Sequence, residues 1–148
     1  MTGAGTDARH LSRERALEIL YEAELKDVAP GIVLDSLSVA PDPFVVSLVQ
    51  AAAAGRSRAE SAIAGAAAQW PLDRMAIIDR LVMVLAIGEV LCDEPPPDAV
   101  ILDEAVELAK TYSTDASPRF VNGVLAAVLP ALHAEGAAPR ADDAPAIG

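Results

Sequence analysis

Aromatic side chains are almost missing from this chain, which has one Trp, two Tyr and two Phe in 148 residues. A β-sandwich draws on aromatic and β-branched residues, so this composition argues against one. Ala, Leu, Val and Ile must fill the interior instead, and Ala-rich segments favour helices by intrinsic propensity. With 53% hydrophobic residues, the chain can bury one good core as a single compact domain. Cysteine is scarce too. A single Cys92 rules out an intrachain disulfide and suits a reducing compartment; as a small apolar residue it is expected to be buried. The apolar run at 81–87 stops far short of the roughly 20 residues that span a membrane. The opening MTGAGTDARH has no apolar stretch of the kind found in secretory signals, and a cytoplasmic protein is expected.

Positive charge is the other shortage. Asp and Glu outnumber Lys and Arg by 22 to 11, for a formal charge of −11, which ordinarily argues against a protein built to grip nucleic acid. A local basic patch can still form, because the cations are unevenly spread. Arg9, His10, Arg13 and Arg15 crowd near the start, while no Lys or Arg occurs between Lys26 and Arg56.

What is present reads as helix. Ala16, Ile19, Leu20 and Ala23 recur at helical spacing in LSRERALEILYEAELKD, and VAPG ends that helix. A short helix over about 32–39 and another from PDPF to about 54 are expected next, followed by a break at Gly55 and a helix carrying Ile63 and Trp70. The stretch LDRMAIIDRLVMVLAIGEVL is apolar on nearly every face and belongs in the middle of a bundle. Three consecutive prolines in CDEPPPDAV enforce a turn. Leu102, Ala105, Ala109 and Tyr112 then share a helix face. The total is about seven helices joined by short loops. A domain over 9–134 is expected between a flexible segment at 1–8 and a disordered tail at 135–148.

Asn122-Gly123 interrupts the apolar run of SPRFVNGVL. Asn-Gly is a strong hairpin signal, but Ser117 as N-cap and Pro118 at the first helical position start a helix here. Val121, Leu125, Val128 and Leu132 continue it at helical spacing. The missing side chain of Gly123 is expected to let another helix approach closely, and Pro130 to weaken the last turn.

Phosphate binding needs cations, and unstacked bases need planar groups. Arg9 and Arg13 lie on one face of the first helix with His10 beside them, and Tyr21 further along can stack a base or simply pack. By themselves these residues read as an ordinary solvated helix.

The segments ALEILYEAE, WPLDRMAIIDR, DEAVELAK and FVNGVL, in this order and spacing from about Arg9 to Leu132, resemble the NusB family of bacterial transcription antitermination factors. The resemblance implies an all-α fold of two packed helical subdomains. It implies binding of boxA RNA from ribosomal RNA leader transcripts together with NusE, a small-subunit ribosomal protein, within an RNA polymerase antitermination complex. The RNA contacts it implies are Arg9, His10, Arg13, Tyr21, Arg119, Phe120 and Asn122, and the partner contacts are Asp79 and Asp115. Some members of the family form homodimers. The chain departs from the family pattern at Leu11 and Ser12, where members carry a denser arginine cluster, and Glu14 and Glu18 add opposing charge. Each lost phosphate contact weakens binding and flattens its salt dependence, so a modest affinity for free RNA is expected. Asp103 stands where Asn is common in the family, and Ala116 where many members carry an acid.

An enzyme finds no support. The histidines, His10 and His133, lie at opposite ends, no metal-ligand spacing occurs, and Asp103-Glu104 fits a helix better than acid–base chemistry. No catalytic residue, metal, cofactor or membrane partner is expected. Two other readings stay open: a protein-only adaptor that has lost selective RNA binding, and a stand-alone relative of the RNA-binding domain of RNA cytosine methyltransferases.

Overall fold

A computed structural model describes the backbone of residues 3–137 and the side chains of residues 7–135. Among the described residues the chain forms α1 (Gly3–Lys26), α2 (Pro30–Ser36), α3 (Pro43–Ala66), a 3-10 turn at Leu72–Arg74, α4 (Ile77–Val90), α5 (Asp98–Tyr112) and α6 (Ser117–Ala137), with no strand. Helix α1 begins inside the 1–8 segment expected to be flexible, and α6 runs into the expected tail, whose residues 138–148 lie outside the described residues.

Local chemistry sets most boundaries. Asp42 caps α3 by accepting a hydrogen bond from the Phe44 N–H at 2.8 Å, with Pro43 at the first position. Helix α1 ends with Asp27 in the left-handed region (φ 55°) while the Val28 N–H returns to the Ala23 carbonyl at 3.0 Å. Helix α4 is the apolar centre: every residue from Leu81 to Val90 is buried. Helices α1 and α2 pack against α3, α5 and α6 pack against each other and α4, and the α3–α4 crossing joins the two sets. On α1 and α6 the faces read from periodicity are the core faces, Ala16, Ile19, Leu20 and Ala23 on the first and Val121, Leu125, Val128 and Leu132 on the second; on α5 the core face is Ile101, Ala105, Leu108 and Ala109, with Leu102 half-buried beside it and Tyr112 exposed.

The local expectations at Gly55, Gly123 and Cys92 fail for identifiable reasons. Helix α3 does not break at Gly55, which is why six α-helices stand where about seven were read. A Cβ on Gly55 would lie 3.3 Å from Leu91 Cδ1 and 3.9 Å from Gly88 Cα, so packing against α4 outweighs a propensity cost of about 1 kcal/mol. The close helix approach expected at Gly123 occurs at Gly88 instead, where a Cβ would sit 2.8–3.0 Å from the backbone of Ala51 and Ala52; around Gly123 nothing lies within 4 Å. Cys92 is exposed, because it falls just past the end of α4. Helix α6 continues through Pro130, which is exposed while Leu129 and Leu132 on the core side are buried.

Since a Cβ on Gly123 would meet nothing within 4 Å, Gly123→Ala is expected to raise stability by up to about 1 kcal/mol through helix propensity alone. Urea denaturation monitored by circular dichroism measures it.

Candidate nucleic-acid interface

The N-terminal half of α1 places its basic residues in unlike surroundings. Arg13 is buried, with 3% of its surface exposed. Its Nε and Nη2 donate to Glu89 Oε1 and Oε2 at 2.8 and 2.6 Å, and Nη1 lies 3.8 Å from Glu104. Burial works against the charged guanidinium, but the hydrogen bond and charge of Glu89 outweigh it and hold Arg13 above its ordinary pKa. Arg13 therefore spends its planar fork inside the protein, anchoring α1 to α4. Arg9 is exposed and sits 5.8 Å above the Phe44 ring, within the range of a cation–π contact. Tyr21 stays partly exposed on the same helix.

His10 bridges α1 to α5. Its Nδ1 lies 2.6 Å from Glu104 and its Nε2 3.2 Å from Glu14. The hydrogen bond to Glu104 raises its pKa above 6.5 against an opposing burial effect, and the charges of Glu104 and Glu14 add to the rise. The stabilisation from protonated His10 is fully present below the unfolded value and is lost as pH rises through the folded value. Comparing unfolding free energy against pH for wild type and His10→Gln, the gap is expected to be widest below pH 6.5 and to close at higher pH.

A second group gathers where α6 begins. Asp79, in the first turn of α4 and only 6% exposed, accepts a hydrogen bond from the Ser113 hydroxyl at 2.6 Å. The Ser117 hydroxyl donates to Ser113 Oγ at 2.9 Å, accepts from the Thr114 N–H at 3.2 Å and lies 2.7 Å from Thr114 Oγ1. Ser117 is thus the first helical residue, its hydroxyl used within the preceding turn, and the Ala116 carbonyl accepts from the Phe120 N–H at 3.2 Å. The chain of hydroxyls fixes the 113–117 turn to α4. Beyond it Arg119 and Asn122 are exposed and Phe120 is partly buried, while Asp115 is exposed on the turn itself. Two hollows, of about 570 and 530 Å³, lie beside this helix start and share Trp70 and Phe120 in their walls; Arg119 and Gly123 line the first, Arg74 and Asp79 the second.

Most other cations are engaged. Arg15, Lys26, Arg56, Arg58, Arg80 and Lys110 each hold a carboxylate within 4.0 Å. Among the described residues Arg9, Arg74 and Arg119 are the Lys or Arg side chains outside any such pair. In the same set, no cluster of His, Cys, Asp and Glu is placed to hold a metal ion, and no helix is long and apolar enough to cross a membrane.

The NusB family model matches residues 10–130, which takes in both groups. The chain belongs to the NusB family. A transcription antitermination protein NusB from Kineococcus radiotolerans is 39% identical over 125 residues, covering 82% of this chain and 92% of that one. The structure of NusB from T. maritima is similar with a TM-score of 0.73 at 26% identity, covering 82% of this chain and 90% of that one. A crystal structure of the antitermination factors NusB and NusE in complex with double-stranded RNA aligns with a TM-score of 0.70 at 24% identity, over 83% and 96% of the two chains.

On this NusB-family fold the sequence-predicted contacts fall into two groups on separate helices. Arg9, His10, Arg13 and Tyr21 belong to α1, which packs on α2, α3 and α4; Arg119, Phe120 and Asn122 belong to α6, which packs on α3, α4 and α5. Asp79 and Asp115 flank the second group, one buried beneath the turn and one exposed on it. Sequence reading missed Glu89, Glu104 and Trp70. The ion pair of Arg13 with Glu89 spans 76 residues, a separation that no local pattern reveals. Trp70, read as part of the helix carrying Ile63, lies past the end of α3 at Ala66, because the following Pro71 disfavours a helical residue before it.

Proposed function

We propose that this chain is a transcription antitermination factor that binds boxA RNA together with NusE and holds both in a complex with elongating RNA polymerase in ribosomal RNA operons. Family membership supports this reading. The observation that carries it is that exposed cations without carboxylate partners, Arg9 and Arg119, stand near the starts of α1 and α6, the latter beside Phe120 and Asn122. Those side chains supply phosphate contacts and a face for base stacking. Arg13 and His10 act as positioning residues that set the direction of α1 through Glu89 and Glu104. Asp79 sets the α6 turn, and Asp115 offers an acid to a basic ribosomal protein. Such a scaffold needs no catalysis, and its place of action is the cytoplasm, where transcription occurs.

The burial of Arg13 and the carboxylates around His10 favour a second reading, a protein-only adaptor. Fluorescence anisotropy of labelled boxA RNA separates the two, titrated with and without NusE at two salt concentrations and against a scrambled RNA. Selective, salt-sensitive binding that strengthens with NusE is expected; equal binding to both RNAs in every condition leaves the adaptor.

A further inference from the structure

Two of the three unpaired arginines, Arg74 and Arg119, come together with the exposed tryptophan of this acidic chain. Trp70 is 52% exposed, unusual for so large an apolar side chain. It is held in place: its Nε1–H donates to the Arg74 carbonyl at 3.2 Å, and its own N–H donates to the Ala67 carbonyl at 2.9 Å. The indole, fixed at its polar edge, forms with Phe120 the wall shared by the two hollows, each of which has one unpaired arginine: Arg119 in the first, and in the second Arg74, whose hollow also holds Asp79, a carboxylate engaged by the Ser113 hydroxyl. Gly123, with nothing within 4 Å of its Cβ position, leaves the first hollow open along α6. Each hollow is the size of a small-ligand site.

We infer that Trp70 and Phe120 form a stacking wall for single-stranded RNA, with nucleotides seated in the two hollows and their phosphates met by Arg119 and Arg74. This rests on the RNA-binding reading above and extends it to residues outside the predicted set. Charge selects the occupant. A chain of net charge −11 repels a polyanion over most of its surface, so cations free of carboxylates mark where phosphate can approach. Aromatic faces beside cations form the arrangement that binds single strands, because every base has a face to stack.

The test uses the full chain. Trp70 is its only tryptophan, so intrinsic emission reports directly on the wall. Titration with unlabelled boxA RNA is expected to quench that emission. In the anisotropy assay with NusE, Trp70→Ala is expected to weaken RNA binding about 5- to 100-fold, the loss of one base–aromatic stack, while Trp70→Phe stays close to wild type. Arg74→Gln and Arg119→Gln are each expected to lower the slope of log affinity against log salt by about 0.7. Selective RNA binding with unchanged Trp70 emission, and with Trp70→Ala equal to wild type, overturns the inference while leaving the proposed function standing. A loss of NusE binding by Trp70→Ala without RNA overturns it too, assigning the wall to the protein partner. Failure of the wild type to bind boxA RNA selectively, with or without NusE, is a failure of the underlying reading and is visible before any variant is compared.

Discussion

Arg13→Ala is expected to cost about 3–5 kcal/mol of unfolding free energy, the largest effect of any single truncation on α1. The reason lies on the other side of the pair. Glu89 is 4% exposed and sits in the most apolar helix of the molecule, so without the guanidinium its carboxylate is left unpaired and largely desolvated. Glu104 lies on the same side and adds a like charge. Urea denaturation gives the loss directly. Replacing both partners by apolar residues, Arg13→Met with Glu89→Leu, is expected to recover most of it, because the desolvation penalty disappears together with the attraction. That double variant also separates two roles for Arg13. If the arginine only positions α1, RNA affinity in the refolded double variant stays near wild type; if it contacts phosphate, the salt dependence flattens.

Gly88→Val is expected to destabilise the fold by about 1–3 kcal/mol or more. A Cβ at Gly88 meets the backbone of Ala51 and Ala52 at 2.8–3.0 Å, and backbone cannot rotate out of the way as a side chain does. The two helices must separate along the crossing that joins the halves of the molecule. Gly55→Ala faces the flexible end of Leu91 at 3.3 Å and is expected to be milder, while Gly123→Ala, unopposed, is expected to be neutral or stabilising. Thermal unfolding midpoints should therefore fall in the order Gly88→Val, Gly55→Ala, Gly123→Ala, from lowest to highest. A gain at all three positions would mean that helix propensity, not helix contact, decides.

These glycines show where local reading stops. All three sit inside helices, and nothing adjacent to them in the chain distinguishes a close crossing from an open groove. Gly55 was read as a break and Gly123 as a contact, whereas the contacts belong to Gly55 and Gly88. The same limit governs the charges. Arg9 and Arg13 occupy one helix face, both lie 5.8 Å from the Phe44 ring and look equivalent, yet one is exposed and the other is sealed against Glu89. Asp79 looked like a surface charge for a partner but holds the turn on which α6 starts. Periodicity performed well wherever one face of a helix simply had to leave water, as on α1 and α6.

The sequence by itself determined the helical class, the burial of α4, the start of α3 at Asp42-Pro43 and the family, because each depends on residue spacing, propensity or an ordered set of motifs along the chain. Only the tertiary structure decided which cations are free, which glycines carry a crossing and how Trp70, Phe120, Arg74 and Arg119 share one surface. Those depend on partners far away in sequence, and the energy of a charge or a missing methyl group is set by what the fold places against it.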